Sequence, residues 1–266
     1  NTTQSPDLSS FIPQFNPGDN GFIRRLRIWD RPLTDDEINK IPGDVIPIEN
    51  GEDIQDGLLF WFEADALDGT TLRNKVQAYN QIYATESSLR IKPGGFSGNV
   101  IQSDKEINFV NFSALAPAFG DKWTVFLLHD TLSPKLPTIS NWISTLVYNS
   151  SNYLGLILFH LYFRWIGNQF DTYSIKRPPF SIPVMQGAIA DNNNIKCYFN
   201  RFPIYSAAQP TAFGTSPTLT LFPSITRPTG IEAVRIYNRA LSSDEIKSLI
   251  NWYKLKGRQN LGPIIT

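Results

Sequence analysis

The residues whose types and spacing could carry chemistry begin with three carboxylates in Glu63-Ala64-Asp65-Ala66-Leu67-Asp68. Alternate residues of a strand face the same side, and carboxyls about 5 Å apart suit the nucleophile and acid/base of a retaining glycoside hydrolase. General acid/base work needs a matched, enclosed pair, and a solvated loop following a strand accounts for the same residues. Asp65 and Asp68 are also candidate calcium ligands, as is Asp191 in Asp191-Asn192-Asn193-Asn194. Calcium takes about six to eight oxygens, usually with several carboxylates. The Asp191 cluster offers one carboxylate among turn-forming amides, so it reads first as a turn. A second set is aromatic and polar: Tyr162, Arg164, Tyr198 and Asn200 supply the planar platforms and hydrogen-bonding groups that hold carbohydrate. In a strand Tyr162 and Arg164 share one face, and Phe163 and Trp165 the other. Core packing of most of these aromatics is the competing reading.

Other chemistries find little support. Cys197 is the single cysteine, which excludes an intramolecular disulfide and any multi-cysteine metal site. Its neighbours, Ile195-Lys196-Cys197-Tyr198-Phe199, suit a buried, inert thiol. His129 and His160 are separated by strand-like sequence and show no metal-ligand spacing. Pro93-Gly94-Gly95-Phe96 is a turn rather than a phosphate-binding loop. With 24 Lys+Arg against 24 Asp+Glu, the formal net charge is zero, so no global field gathers polyanions and nucleic acid is excluded as the main partner. The apolar run Leu154 to Phe163 falls short of the roughly 18 residues a spanning helix needs, so membrane insertion is not expected. No charged segment followed by an apolar one opens the chain. Its start at Asn1 reads as a processed product or a fragment.

Strands must position these residues. At 41% hydrophobic and 13% aromatic, the 266-residue chain can bury a sizeable core. Phe60-Trp61-Phe62, Trp123 to Leu128, Trp142 to Tyr148, Tyr153 to Ile166, Ile195 to Phe199, Pro203 to Tyr205 and Thr218 to Phe222 are rich in aromatic and β-branched residues. Pro, Gly, Asn and Ser clusters separate them, which indicates a sandwich or barrel. One segment is helical: Ser242-Ser243-Asp244-Glu245 is a capping box, and Ile246, Leu249, Ile250 and Tyr253 form one apolar stripe.

An internal repeat stands out. Arg27-Ile28-Trp29-Asp30-Arg31-Pro32-Leu33-Thr34-Asp35-Asp36-Glu37-Ile38 aligns with Arg235-Ile236-Tyr237-Asn238-Arg239-Ala240-Leu241-Ser242-Ser243-Asp244-Glu245-Ile246 at a constant offset of 208 residues. Thr34 and Glu37 reproduce the capping box.

Gly230 to Ser242, followed by Glu245-Ile246, closely resembles the closing strand and helix of laminin G-like domains of the concanavalin A-like lectin/glucanase superfamily. Asp56 to Glu63 with Asn74-Lys75-Val76 resembles the opening strand and loop, and Trp123 to Phe126 an early core strand. Ile195 to Ile204 resembles the family's strand–turn–strand, although Arg201 stands where a hairpin glycine usually follows the Asn, which implies a longer turn. The family's His-His pair is missing around Ile182 to Ala188. The resemblance spans about residues 56 to 256. It implies an all-β fold: an antiparallel jelly-roll β-sandwich, concanavalin A-like, with short capping helices. Glycoside hydrolases of the superfamily carry E-x-D-x-E or E-x-D-x-x-E on a central strand. Glu63, Asp65 and Asp68 imitate the longer form at the opening strand instead.

The expected organisation is residues 1–41 as the closing strand and helix of a preceding similar domain, or a docking element; 42–55 as linker; 56–257 as the sandwich; and 258–266 as tail. Arg27, Trp29 and Arg31 are then candidate assembly residues, docking on protein subunits that include copies of this chain. The expected function is non-enzymatic recognition of glycan or another surface ligand within a larger assembly at an extracellular, cell or virion surface. No cofactor is expected, with calcium the one ion the residues admit. The rivals are a structural assembly domain of a bacteriophage virion or surface array and, more weakly, a glycoside hydrolase.

Overall fold

The computed structural model of the chain describes residues 51–131, 142–149, 152–157, 160–165, 168–174, 183–200, 202–208, 212–222 and 229–260. The chain divides into two units, Asn1–Pro47 and Ile48–Thr266. The first, with Arg27, Trp29 and Arg31, lies outside the described residues, as does the tail 261–266.

Strands β1 (Leu58–Glu63), β2 (Leu67–Asp68), β3 (Thr71–Arg73), β4 (Tyr83–Thr85), β5 (Arg90–Gly94), β6 (Gly98–Gln102), β7 (Ile107–Asn108) and β8 (Trp123–Thr131) come first. After them come β9 (Trp142–Asn149), β10 (Asn152–Ile157), β11 (His160–Trp165), β12 (Asn168–Ser174), β13 (Val184–Ala190), β14 (Asn194–Phe199), β15 (Phe202–Ala208), β16 (Thr218–Leu221) and β17 (Thr229–Tyr237). Helix α1 (Ser243–Asn260) closes the described chain. Eight strands form one sheet in the order β15-β14-β13-β8-β17-β6-β5, with β1 also paired to β17. Six form a second, β12-β11-β10-β9-β16-β7, and β2-β3-β4 make a small third sheet. All strand pairs are antiparallel, as a sandwich of short aromatic and β-branched runs requires.

Alternation sorts the side chains into two cores. Phe60, Phe62, Val125, Leu127, Val234 and Ile236 of the large sheet share a buried cluster with Leu146, Leu219, Leu221 and Ile107 of the six-stranded sheet. The other face of the large sheet supplies Phe126, Leu128, Met185, Ala233 and Tyr237, which pack against Ile246, Leu249, Ile250 and Tyr253 of α1. Each such large side chain contributes on the order of 2 kcal/mol. The capping box forms as expected: Glu245 N–H donates to Ser242 Oγ at 3.2 Å, and Ser242 N–H to Glu245 Oε2 at 2.8 Å.

The turns correct one expectation and bear out another. Phe199 pairs with Phe202, so only two residues connect β14 to β15. Asn200 takes a left-handed φ of 53°, a conformation Asn tolerates. Asp191 to Asn194 is a tight two-residue hairpin turn, with Asn192 and Asn193 both at positive φ.

Polar groups inside the sandwich are specific. His129, fully buried, faces Gln186 Oε1 at 3.1 Å, and burial pushes its imidazole down to about 3, so it stays neutral. Glu232 accepts Phe96 and Ser97 N–H at 2.6 and 2.7 Å, and Asp130 accepts Gly95 N–H at 3.1 Å. These carboxylates draw the β5–β6 loop under the end of α1, where Gly257 meets Phe96. A Cβ on Gly257 would lie 1.8 Å from the Phe96 carbonyl oxygen, an impossible approach. Gly257→Ala is therefore expected to cost about 2 kcal/mol or more despite Ala's better helix propensity. Gly120→Ala, with nothing within 4 Å, is expected to be neutral. Urea midpoints of the two variants check this, and equal midpoints would contradict it.

Candidate functional site

Two regions compete for function: the charged cluster around Glu63 and the outer face of the six-stranded sheet. The first is built on Arg235, fully buried in β17. Its Nε donates to Tyr253 Oη at 2.9 Å, and its Nη1 pairs with Asp53 at 2.5 Å and reaches the Ile54 carbonyl. Its guanidinium lies 4.3, 5.0 and 5.2 Å from the ring centroids of Trp61, Trp252 and Tyr253. Nη2 stands 3.7 Å from Glu63 Oε1. Glu63 Oε2 accepts from both Lys75 and Lys256 Nζ at 2.8 Å, and Lys256 also donates to Asp65 at 2.9 Å.

This arrangement holds Glu63 as an anion between its cationic partners. Burial works against the Glu63 carboxylate, but the bonds from Lys256 and Lys75 outweigh it and hold the carboxyl at about 2. A group that acidic carries no proton to donate at neutral pH. Asp65 is tied to Lys256, while Asp68 lies exposed on β2. Nor does the Trp61 ring offer a bare sugar platform, since Lys75 Nζ stands 4.0 Å from its centroid and Arg235 at 4.3 Å.

The cluster also captures chain that the sequence reading assigned to a linker. Glu52 N–H donates to Ser248 Oγ, Tyr237 Oη–H to the Ile54 carbonyl, and Arg239 Nε–H to the Asp56 carbonyl. Residues 51–55 are thus part of the sandwich. The signal for this was available: Arg235 and Glu232 sit in an otherwise apolar strand, and a buried charge demands a partner.

Several predicted site residues have structural duties. Tyr198 is buried beneath α1, its hydroxyl 3.4 Å from Ser243 Oγ, so its ring is core. Asn200 Oδ1 accepts Met185 N–H at 3.0 Å, and Asn200 N–H donates to the Met185 carbonyl. Its acceptor thus completes the sheet beside a turn and is not turned over to ligand. Asp191 pairs with Lys122 at 3.1 Å and accepts from Asn192. Asp65, Asp68 and Asp191 therefore belong to three separate settings. Among the described residues, no three His, Cys, Asp or Glu side chains gather where they could hold a metal.

The second region keeps Tyr162 and Arg164. Strand register sets Asn108, Thr220, Thr145, Gly155, Tyr162 and Thr172 in one row across the sheet. Asn108 is exposed and Thr220 half-buried, whereas Leu219, Leu221 and Leu146 face the core. Asn108 and Thr220 thus lie on the face turned away from the core, at one end of the register row that contains Tyr162. Arg164 pairs with Tyr153, Tyr153 with Val147, and Val147 with exposed Thr218, a second register row. Helix α1 covers the outer side of the large sheet.

No family model matches the chain, and no curated protein matches it. Solved structures do. Domain 4 of AbnA, a GH43 extracellular arabinanase from Geobacillus stearothermophilus solved with arabinotriose, is 13% identical over 74% of this chain and 100% of that one, with TM-score 0.56. The binding domain of botulinum neurotoxin DC, solved with SialylT, is 13% identical over 74% of this chain and 52% of that one, TM-score 0.52. Trypanosoma rangeli sialidase is 12% identical over 76% and 33%, TM-score 0.52. This chain matches about half of the toxin structure and a third of the sialidase. At these identities the likeness establishes the fold alone, a β-sandwich. No helix among the described residues is long and apolar enough to cross a membrane.

Glu63 provides the test of the charged cluster. Unfolded, its carboxyl titrates near 4.5, and folded near 2. The unfolded chain takes up the proton first, so the ion-pair contribution is complete above pH 4.5 and is lost as pH falls toward 2. The shift is equivalent to roughly 3 kcal/mol. Glu63→Gln is expected to lower stability by about 3 kcal/mol at pH 7, because it leaves Lys75, Lys256 and Arg235 short of an anion. Urea midpoints should converge with wild type as pH falls from 4.5 to 2, where wild type also carries a neutral side chain. A gap independent of pH would remove Glu63 from this role.

Proposed function

We propose that residues 51–260 form a laminin G-like recognition module that binds glycan without catalysis through the outer face of the six-stranded sheet. The observation that carries this reading is the cross-strand register. It brings Tyr162 and Arg164 into register rows that contain threonine, asparagine and glycine, residue types that meet hydroxyls and sugar C–H faces, which supports this reading. The arabinotriose held by the arabinanase domain supports a glycan as the ligand class. Against a hydrolase stands the engagement of Glu63 and Asp65 with lysine. On this reading the module works at a cell or virion surface, within a larger assembly.

A glycan array probed with and without calcium tests it. Wild type is expected to bind a restricted set of glycans, and Tyr162→Ala to lose at least about tenfold in affinity, the scale of one aromatic contact. The calcium arm decides whether the ion takes part. Silence from a folded sample would overturn the reading in favour of an assembly domain.

A further inference from the structure

We infer that Arg73, Tyr83 and Val110 form a subsite for a carboxylate-bearing sugar at one end of the recognition face, an inference that rests on the glycan-binding reading and adds the class of sugar. The three-stranded sheet turns Leu72 and Ala84 inward, both essentially fully buried, so their neighbours Thr71, Arg73, Tyr83 and Thr85 line its outer side. Val110 continues this surface: it bridges to Tyr83, donates its N–H to the Tyr83 carbonyl at 2.8 Å, and is 48% exposed. It stands two residues beyond Asn108, with buried Phe109 between them. Asn108 belongs to the row of Tyr162, so the surface runs from β11 to β3.

Arg73 differs from the other well-placed cations. Lys75, Arg235, Arg239 and Lys256 are each committed to carboxylates. Arg73 has no ion pair among the described residues, is exposed, and rests with its guanidinium 5.3 Å from the Tyr83 ring centroid. A guanidinium held beside an aromatic ring keeps N–H donors for a carboxylate, which it can take through two parallel bonds. Val110 offers an apolar patch for the C–H face of the same ring. The Thr71 and Thr85 hydroxyls, 3.2 Å apart, lie one row further on. A cation, an apolar contact and hydroxyl partners within one small surface match an acidic sugar better than a neutral one. Arg73 is the binding group, and Tyr83 positions it.

The test uses the full chain with paired oligosaccharides, sialic acid- or uronic acid-terminated, each against its neutral counterpart lacking the carboxylate. Wild type is expected to prefer the acidic member by about tenfold, with the preference shrinking as salt rises. Arg73→Gln should bind both members alike and keep the neutral affinity, and its urea midpoint should stay at the wild-type value because the side chain is exposed. Tyr83→Leu should weaken the acidic preference without changing neutral binding. Equal binding of both members by wild type, or a preference that survives Arg73→Gln, overturns the subsite while leaving the glycan reading intact. Failure of folded wild type to bind any member overturns both.

Discussion

The fold depends on making one buried guanidinium tolerable. Stripping water from Arg235 costs several kcal/mol, and no single element compensates for it. The compensation is divided: Asp53 and the Ile54 carbonyl come from the segment before β1, Glu63 from β1, and the Tyr253 hydroxyl and the Trp252 ring from α1. Strand β17 is thereby joined to all three. Lys75 and Lys256 then balance Glu63, and Asp65 balances Lys256, so Arg235, Lys75 and Lys256 face Asp53, Glu63 and Asp65. The equality explains why so dense a cluster is stable and why removing one member does more harm than removing an exposed pair. It also makes docking of the helix and of the N-terminal segment conditional on one another.

The same strand carries the second constraint. Glu232, like Arg235, lies on the helix side of the large sheet, and its carboxylate takes two backbone N–H groups of the β5–β6 loop. Burial still pushes its carboxyl up to about 7 against those bonds, with Glu63 adding repulsion. The fold thus holds the Glu232 proton to higher pH than the unfolded chain does, and this contribution declines as pH rises from 4.5 to 7. His129 acts in the opposite sense: neutral inside the sandwich, it costs stability as pH falls from 6.5 toward 3. The two partly offset each other between pH 4.5 and 6.5.

Period and punctuation made much of this legible in the sequence. Strand alternation, the Ser242–Glu245 capping box and the stripe Ile246, Leu249, Ile250 and Tyr253 correspond to the observed sandwich and helix, because they are local statements about a pleat or a helical turn. What local pattern does not contain is the partner of a charge. In the sequence Arg235 is one residue of a motif and Glu63 one acid among several, yet their roles lie in contacts across 182 residues in one case and 193 in the other. Tyr198 failed as a ligand candidate for a related reason. A strand of the large sheet is covered on both sides, by the second sheet and by α1, so alternation there separates two cores rather than core from solvent. Asn200 shows that a polar residue after a strand can complete the sheet, a duty its sequence position does not reveal.

The same distinction bears on the proposed recognition face. Where both faces of a sheet are buried, its aromatics are consumed by packing, whereas a sheet with one free face presents a regular grid of side chains. On the six-stranded sheet this grid contains Asn108, Thr145, Thr218 and Thr220 around Tyr162, residues that fit strand geometry and bring hydroxyl or amide groups without long flexible chains. Short, β-branched polar side chains lose little conformational entropy on binding, so many weak contacts can add up where no deep pocket exists. Much of the charge among the described residues lies instead in the Arg235 cluster, where it serves the fold. Arg73, carried on a separate small sheet, does not compete with the fold for those anions.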